Sequence, residues 1–247
     1  MSAILEVENV TKTFGGLVAN RAISLSVPAG RIVGLIGPNG SGKTTLFNSI
    51  VGYHPIDSGS IRFKGREISH LRVPQIARLG LLRTFQQTRI YGQMTCVQNM
   101  QISTRSQQDA WRVMFNKIPP EDTERAEQLL EFVGLYAKRH LRAGDLSFGQ
   151  QKLLEFAMAL MSEPEMLLLD EPTAGINPTL INGLMDRLSR VNAELGVTLL
   201  VIEHNMRVIM NLAEYIYCLA HGELLAGGPP DAIRNDQRVI DAYLGTH

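Results

Sequence analysis

Short alternating or continuous runs of apolar residues predict the strands of this chain. Apolar and polar positions alternate over residues 4–10 and 22–27, which is typical of strands with one buried face. Continuous apolar runs are typical of strands buried on both faces. Three such runs, which predict buried strands of an α/β core, are RIVGLIG (31–37), EMLLLDE (165–171) and VTLLVIEH (197–204).

The stretch SGSIRFKGREI (58–68) differs, because its charges alternate with apolar residues. Ile61 and Phe63 fall on one face of an extended chain, and Arg62 and Lys64 fall on the other. We interpret the two charges as the solvated face of an edge hairpin.

Helical periodicity dominates the middle third of the chain, residues 73–144, where the pattern predicts few strands. Within it, PPEDTERAEQLLEFVG (119–134) begins with prolines and acids and ends at a glycine, which are helix start and stop signals. Residues 103–120 show weak periodicity and receive no assignment. The predicted apolar face of the helix consists of Ala126, Leu129, Leu130 and Val133.

Two further helices are predicted outside this region. KTTLFNSIVG (43–52) follows the first buried strand, and a helix preceded by Asn177 covers residues 178–196. Strands and helices thus alternate before and after the middle third. The pattern predicts a single α/β domain over residues 1–247, with a helical insert at roughly 88–162.

Composition excludes several classes of protein. The chain has 247 residues, of which 45% are hydrophobic, and its 24 Lys+Arg and 24 Asp+Glu cancel to a net charge of zero. No overall basic field is present to hold nucleic acid, so no nucleic-acid partner is expected. No apolar run approaches the ~20 residues of a membrane helix, and the N-terminus has no signal-peptide pattern. Cys96 and Cys218 form no metal-like pair, which favours a reduced cytosol.

GPNGSGKT (37–44) matches the phosphate-loop pattern G-x-x-x-x-G-K-[ST]. Glycines let the backbone curl so that its N–H groups point at phosphate oxygens, and the following helix adds its positive end. Lys43 supplies charge for the β- and γ-phosphates, and the Thr44 hydroxyl suits Mg²⁺. A glycine turn with a chance lysine is disfavoured, because a buried strand precedes the loop and a helix follows it. The predicted ATP-binding residues of this loop are Gly37, Pro38, Asn39, Gly40, Ser41, Gly42, Lys43, Thr44 and Thr45.

Asp170 and Glu171 follow the apolar run 166–169, at the carboxyl end of a predicted strand. Ligands of α/β sheets bind at this edge. Asp170 is the candidate metal ligand, and Glu171 is the candidate base that polarises an attacking water. Two acids after a strand can also be a helix cap with a solvated neighbour, but the phosphate loop favours the catalytic interpretation.

LSFGQQ (146–151), called the signature segment below, precedes an apolar run and is expected at a helix start. There Ser147 and Gly149 offer a hydroxyl and bare N–H groups to an anion. The order of phosphate loop, helical insert, signature segment and LLLDEP (167–172) resembles the ATP-binding-cassette (ABC) ATPases over nearly the whole chain. The resemblance implies a P-loop α/β core with an N-terminal antiparallel β-subdomain and an inserted α-helical subdomain.

The resemblance also implies a second phosphate-binding element, which contacts the nucleotide of a partner subunit. In this family the signature of one subunit closes over the ATP held by the phosphate loop of the other. The residues that this implies for contact across the dimer are Ser147, Phe148, Gly149 and Gln150.

Three further positions match the family pattern. Phe14 falls where an aromatic ring stacks on adenine, although a buried strand phenylalanine is the competing interpretation. Gln86 falls at the glutamine that senses the metal and the attacking water, with Gln87 as an adjacent rival. His204, after the last buried run, corresponds to the histidine that contacts the γ-phosphate.

Two departures from the usual pattern resemble the branched-chain amino-acid uptake ATPases. Phe148 replaces the second glycine of L-S-G-G-Q, and Asn177 stands where an aspartate is usual. IEHNM (202–206) and RVIDAYLG (238–245) also resemble that branch. Importers of urea, amides and aromatic acids use similar ATPases.

The sequence therefore predicts an ATPase, using ATP and Mg²⁺, that energises an ABC transporter. Expected partners are a second cassette (identical or a paralogue), membrane-spanning permease subunits contacted near Gln86 and the insert from Arg89 onward, and indirectly a solute-binding protein. The expected location is cytoplasmic, on the inner face of the cell membrane through the permease.

The alternatives are a cassette protein of DNA repair or translation, which tends to carry coiled coils or two cassettes, and a regulatory module without turnover. Intact Lys43, Asp170, Glu171 and His204 disfavour the latter.

Overall fold

A computed structural model describes residues 2–84, 90–104 and 119–244. Backbone contacts divide the chain into two compact units, which are described separately below. The first consists of Met1–Arg83, Glu165–Pro172 and Ser189–His247, and the second of Thr84–Pro164 and Thr173–Leu188.

The described elements alternate as the sequence predicted. In chain order, the strands are β1 Ala3–Phe14, β2 Leu17–Pro28, β3 Ile32–Ile36, β4 Ser58–Phe63, β5 Arg66–Glu67, β6 Leu81–Arg83, β7 Met166–Asp170, β8 Thr198–Ile202, β9 Tyr215–Ala220 and β10 Glu223–Gly228. The helices are α1 Lys43–Ile50, α2 Val73–Arg78, α3 Cys96–Gln101, α4 Pro120–Phe132, α5 Phe148–Met161, α6 Pro178–Leu195, α7 Met206–Leu212, α8 Pro230–Arg234 and α9 Gln237–Leu244.

A six-stranded sheet in the order β10-β9-β3-β8-β7-β6 forms the core of the first unit. All neighbours are parallel except β9 and β10, and every residue of β3, β7 and β8 is buried. The three buried strands predicted from continuous apolar runs are confirmed. Because β3, β7 and β8 run in the same direction, the residues that follow them emerge at one edge of the sheet.

A second sheet, antiparallel and four-stranded, has the order β2-β1-β4-β5. It confirms the N-terminal antiparallel subdomain, and β4 with β5 forms the predicted hairpin at its edge. β1 and β2 extend well beyond the predicted 4–10 and 22–27. Four register shifts interrupt their pairing, and each shift breaks the two-residue alternation that a sequence pattern can detect.

One apolar core joins these two sheets and helix α1. Leu5, Ile23 and Ile61 of the antiparallel sheet and Leu200 of the parallel sheet belong to it, all with no measurable exposure, as does Phe47 of α1. Burial of Phe47 fixes the helix that begins at the phosphate-loop lysine. The loop is thus held against a packed core on the strand side and on the helix side.

The second unit is helical in its described part. It contains α3, α4, α5 and the start of α6, with two short 3₁₀ turns at Tyr136–Lys138 and Ala143–Asp145. The predicted apolar face of α4 is buried, and Arg187 of α6 donates to the Val133 carbonyl at its end, with 2.9 Å between nitrogen and oxygen. Gln86 and Arg89, for which roles were expected, lie outside the described residues, as does most of the unassigned stretch 103–120.

Several elements were not predicted. β6 is three residues long and pairs with Met166–Leu168, 85 positions later in the chain. It falls in the interval for which the sequence predicted few strands, and a run of three residues is too short to display a period. Everything after His204, including β9, β10 and three helices, received no assignment from pattern alone.

Candidate functional site

The phosphate loop (residues 37–45) connects β3 to α1, and its glycines are required by its backbone. Gly37, Gly40 and Gly42 have φ angles of 146°, 78° and 96°, a region that L side chains rarely adopt. A Cβ on Gly37 would lie 2.1 Å from the Leu219 carbonyl oxygen, and one on Gly42 would lie 2.4 Å from that of Ala19. Neighbouring backbone therefore packs so closely against these two glycines that neither position has room for a side chain.

Lys43 is folded onto the loop itself. Its Nζ donates to the carbonyl oxygens of Gly37 (2.8 Å) and Pro38 (2.9 Å) and to the Ser41 hydroxyl (3.2 Å). Burial lowers the pKa of Lys43, and the charge of Glu171 partly opposes this. A buried cation satisfied by neutral carbonyls can exchange them for phosphate oxygens, to which charge-assisted hydrogen bonds are stronger.

Asp170 is buried at the end of β7 beside an arginine that the sequence analysis did not single out. Its Oδ2 accepts from Arg83 Nη2, and the other terminal nitrogen of Arg83 donates to Asn48 Oδ1 of α1. Asp170 Oδ1 is buried and has no hydrogen-bond partner among the described residues. A buried carboxylate oxygen without a donor suits a cation. Together with the Thr44 hydroxyl it is a donor set that fits Mg²⁺.

Glu171 occupies a strained turn directly after Asp170. Its φ of 50° is in the left-handed region, which costs a non-glycine residue roughly 1 kcal/mol or more. Its N–H donates to the Ile202 carbonyl (2.9 Å), which pins the turn to β8. His204 Nε2 lies 2.8 Å from Glu171 Oε1. Strain of this kind at the end of a core strand is typical of functional sites.

Glu203 is a further buried carboxyl in this region. Desolvation, and secondarily the charge of Glu171, raises its pKa from 4.5 to about 7. It follows β8 and precedes His204, so a titrating group lies close to the catalytic candidates. The sequence, in which a continuous apolar run precedes Glu203, gave no indication that the pKa of this carboxyl is raised.

A cavity of about 650 Å³ brings most of the predicted site residues together. It is lined by Asn39–Thr45 of the phosphate loop, by Glu171 and His204, and by Phe14. Phe14 is 43% exposed and packs edge-on against His54, with ring centres 5.2 Å apart. Phe14 is thus not a buried strand residue, and its ring faces the cavity at the end of β1.

The signature segment begins helix α5 in the second unit. Ser147 is the N-cap: its hydroxyl accepts from the Gln150 N–H at 3.4 Å, while Gln150 Oε1 accepts from the Ser147 N–H at 3.1 Å. Ser147 is exposed. The reciprocal pair holds the start of the helix, and the long bond to the hydroxyl leaves that group available. The predicted helix start at the signature segment is confirmed.

Phe148, the first sequence departure noted above, lies against the loop that contains the second, Asn177. Phe148 is 48% exposed, and a Cβ on Gly175 would lie 2.9 Å from its ring. Gly175 has a φ of 73° and belongs to the loop AGIN (174–177). Gly149 is also closely packed, since a Cβ there would lie 3.1 Å from the end of the Leu180 side chain. The ring of Phe148 thus fits because Gly175, in the loop after Thr173, has no side chain.

Residues outside the nucleotide-binding motifs also support the phosphate loop. Asn20 of β2 is buried and donates to the Gly42 carbonyl at 3.1 Å. Tyr243 of α9 accepts from the Gly37 N–H at 2.8 Å. Neither they nor Arg83 could be found from the sequence, because the contacts join segments far apart in the chain.

Comparison with known proteins identifies the family. A model of the ABC transporter family matches residues 20–174, and one for branched-chain amino acid ATP-binding cassette transporters matches residues 223–247. The chain is 39% identical to the high-affinity branched-chain amino acid transport ATP-binding protein BraF of Pseudomonas aeruginosa. The alignment covers 98% of each protein. The high-affinity branched-chain amino acid transport ATP-binding protein LivG of Escherichia coli is 36% identical, and the alignment again covers 98% of each protein.

Solved structures agree. The ADP conformation of MJ1267, an ATP-binding cassette of an ABC transporter, superimposes with a TM-score of 0.89 at 33% identity, covering 99% of this chain and 100% of that one. None of the helices in the described part of this chain is both long and apolar enough to cross a membrane. The chain therefore belongs to the ABC transporter family, as one of its ATP-hydrolysing subunits.

Proposed function

We propose that this chain energises the uptake of branched-chain amino acids through membrane-spanning permease subunits. The main support is similarity over 98% of the chain to BraF and LivG, whose names state that they serve branched-chain amino acid transport. The separate match at residues 223–247 to a model of the same transporters supports it. That region lies outside the phosphate loop and the signature segment, so the support is independent of motifs that all cassettes share.

ATP is proposed to bind in the cavity above the phosphate loop. The N–H groups of residues 39–45 and the N-terminal end of α1 receive the phosphates, and Lys43 exchanges loop carbonyls for phosphate oxygens. The exposed ring of Phe14 offers a stacking face for the base. Thr44 and Asp170 would hold Mg²⁺, which when bound would neutralise phosphate charge. Gln86 is assigned to the metal and the attacking water by resemblance alone.

Hydrolysis is proposed to depend on Glu171 and His204. Glu171 accepts a proton from the attacking water. It lines the cavity, and the bond from its N–H to the Ile202 carbonyl holds its turn in place. His204 Nε2 lies 2.8 Å from Oε1, so Oε2 is the oxygen proposed to face the water. The same imidazole can contact the γ-phosphate once ATP fills the cavity.

A second cassette is the proposed partner for the signature segment. Ser147 is exposed, its hydroxyl is weakly bonded, and the N-terminal end of α5 favours anions. These features are those of a phosphate-binding element. The ATP proposed for the cavity of the first unit already has a phosphate loop of its own. The ATP of a facing cassette is therefore the proposed ligand, contacted by Ser147, Phe148, Gly149 and Gln150. The segment predicted at roughly 88–162 is proposed to be the helical subdomain.

The proposed assembly places this chain on the cytoplasmic face of the membrane, bound to permease subunits and linked through them to a solute-binding protein. The net charge of zero gives no support to nucleic-acid binding.

Transport by the reconstituted complex tests the proposal. The chain would be purified with its own permease and partner cassette, placed in proteoliposomes with ATP on the cassette side, and supplied with binding protein and labelled solutes. We expect ATP-dependent uptake of leucine, isoleucine and valine, which Glu171→Gln abolishes. Uptake of urea, amides or benzoate instead would contradict the substrate class. A chain that hydrolyses ATP but associates with no permease when purified from its source would favour a non-transport cassette.

A further inference from the structure

The C-terminal helix reaches the phosphate loop through one hydrogen bond. The Gly37 N–H donates to the Tyr243 hydroxyl at 2.8 Å, although 206 positions separate the two residues. The Gly37 carbonyl accepts from Lys43 Nζ, also at 2.8 Å. Both polar backbone groups of the first loop glycine are therefore fixed, one by the lysine that is to bind phosphate and the other by Tyr243.

Gly37 is the point at which strand becomes loop. Its φ of 146° and the Leu219 carbonyl, 2.1 Å from where a Cβ would be, leave it no freedom on one side. The residue is buried, so water cannot satisfy an N–H that leaves the strand ladder there. The Tyr243 hydroxyl supplies the acceptor that the sheet no longer provides.

Helix α9 presents this hydroxyl in a defined way. Val239 is buried, and the Val239 N–H donates to the Asp236 carbonyl at 3.0 Å at the start of the helix. Burial raises the pKa of the Tyr243 hydroxyl to about 12, so it is protonated at neutral pH. Tyr243 as a whole is 37% exposed. Removing only the oxygen is therefore expected to leave the packing of the helix unchanged.

We propose that Tyr243 is a positioning residue for ATP binding, whose hydroxyl holds the Gly37 amide so that the phosphate loop is pre-formed when Lys43 moves to the phosphates. When Lys43 leaves the Gly37 carbonyl, the Tyr243 hydroxyl still holds the Gly37 N–H, so one polar backbone group of this residue stays fixed at the start of the loop. Without it, part of the ATP-binding free energy is used to order the loop. The inference rests on ATP binding by this loop.

Tyr243→Phe tests the proposal, with Tyr217→Phe as the matched control. The Tyr217 hydroxyl also bridges distant backbone, accepting from the Ser26 N–H (3.2 Å) and donating to the Ser26 carbonyl (3.0 Å), but it does not touch the loop. For Tyr243→Phe we expect the Kd and KM for ATP to rise about threefold to tenfold with kcat nearly unchanged, because binding is weakened equally in ground and transition states. For Tyr217→Phe we expect ATP affinity within about twofold of the parent.

Isothermal titration with ATP and steady-state ATPase assays on the full chain provide these values, with thermal unfolding recorded for each variant. A loss of kcat without a loss of affinity, an affinity change below about twofold, or equal changes in both variants would overturn the proposal. Lys43→Ala tests separately whether the loop binds ATP at all. If that variant also binds ATP normally, the loop is not the site at all, and the underlying assignment fails rather than the role of Tyr243.

Discussion

His204 Nε2 and Glu171 Oε1 lie 2.8 Å apart, so the residues that follow two paired strands meet at the wall of one cavity. The pairing of Asp170 with Ile202 sets their separation, and the Glu171 N–H bonds the Ile202 carbonyl at 2.9 Å. The histidine thereby orients the carboxylate, and both groups approach the loop from the sheet edge.

Glu171→Gln is expected to stop hydrolysis while ATP remains bound. The amide keeps the shape of the side chain but is a poor base, so kcat should fall by about 10²-fold or more. The variant should accumulate as an ATP-dependent dimer, measured by light scattering with and without ATP. Glu194→Gln, on the exposed end of α6, is the control. Turnover close to that of the parent would show that Glu171 is not the base.

His204→Ala is expected to lower kcat by about 10²-fold with little change in ATP affinity, because the residue orients Glu171 and contacts charge that develops in the transition state. His70→Ala, an exposed histidine away from the cavity, should behave as the parent protein. The measurement is kcat and Kd for ATP. Equal loss in both variants would contradict a specific role.

Arg83→Met is expected to destabilise the protein by about 3–5 kcal/mol, since it leaves the Asp170 carboxylate buried without its partner. The Arg83 and Asp170 side chains are only 9% and 1% exposed. Urea denaturation measures the change. Arg62→Met breaks an exposed pair with Glu8, 3.5 Å between nitrogen and oxygen, and should cost less than about 1 kcal/mol. The prediction is wrong if both variants lose the same stability.

Glu203 gives stability a defined pH dependence. Its folded pKa of about 7 exceeds 4.5, so the folded state binds more protons than the unfolded state between these values. Stability from this group is fully present below about pH 4.5 and falls as pH rises through 7, by roughly 3 kcal/mol in total. Glu203→Gln should remove that fall. The difference in unfolding free energy between variant and parent, measured from pH 5 to 8.5, should grow in favour of the variant; a difference independent of pH would contradict the prediction.

Mixing two damaged chains tests whether the signature segment acts on the ATP of its partner. Lys43→Ala destroys a phosphate loop, and Ser147→Arg should block the γ-phosphate seat of a signature. Each homodimer has two broken sites, whereas a mixed dimer contains one whole site if the contact is made across the dimer. With Glu171→Gln in both chains, we expect about one occluded ATP per mixed dimer and none in either homodimer. A mixed dimer that assembles with the permease but occludes no ATP would refute the contact.

The sequence by itself determined the parts of this protein that depend on local physics. The glycines of residues 37–42 are read correctly because only glycine adopts their φ angles, and β3, β7 and β8 because each is continuously apolar. The helix start at the signature segment was also predicted, from its place before an apolar run, and the Ser147–Gln150 cap that forms there lies within a single turn. The order of these motifs was enough to identify the family.

The tertiary structure decided the contacts between residues that are far apart in the chain. β6 is a strand because it pairs with β7, Phe14 is exposed because β1 ends at the cavity, and Phe148 packs on Gly175 because two loops meet in the second unit. Arg83 and Tyr243 take their roles from Asp170 and Gly37, 87 and 206 positions away. No period or motif encodes such a pair, since each partner is an ordinary residue until folding brings its counterpart within hydrogen-bond distance.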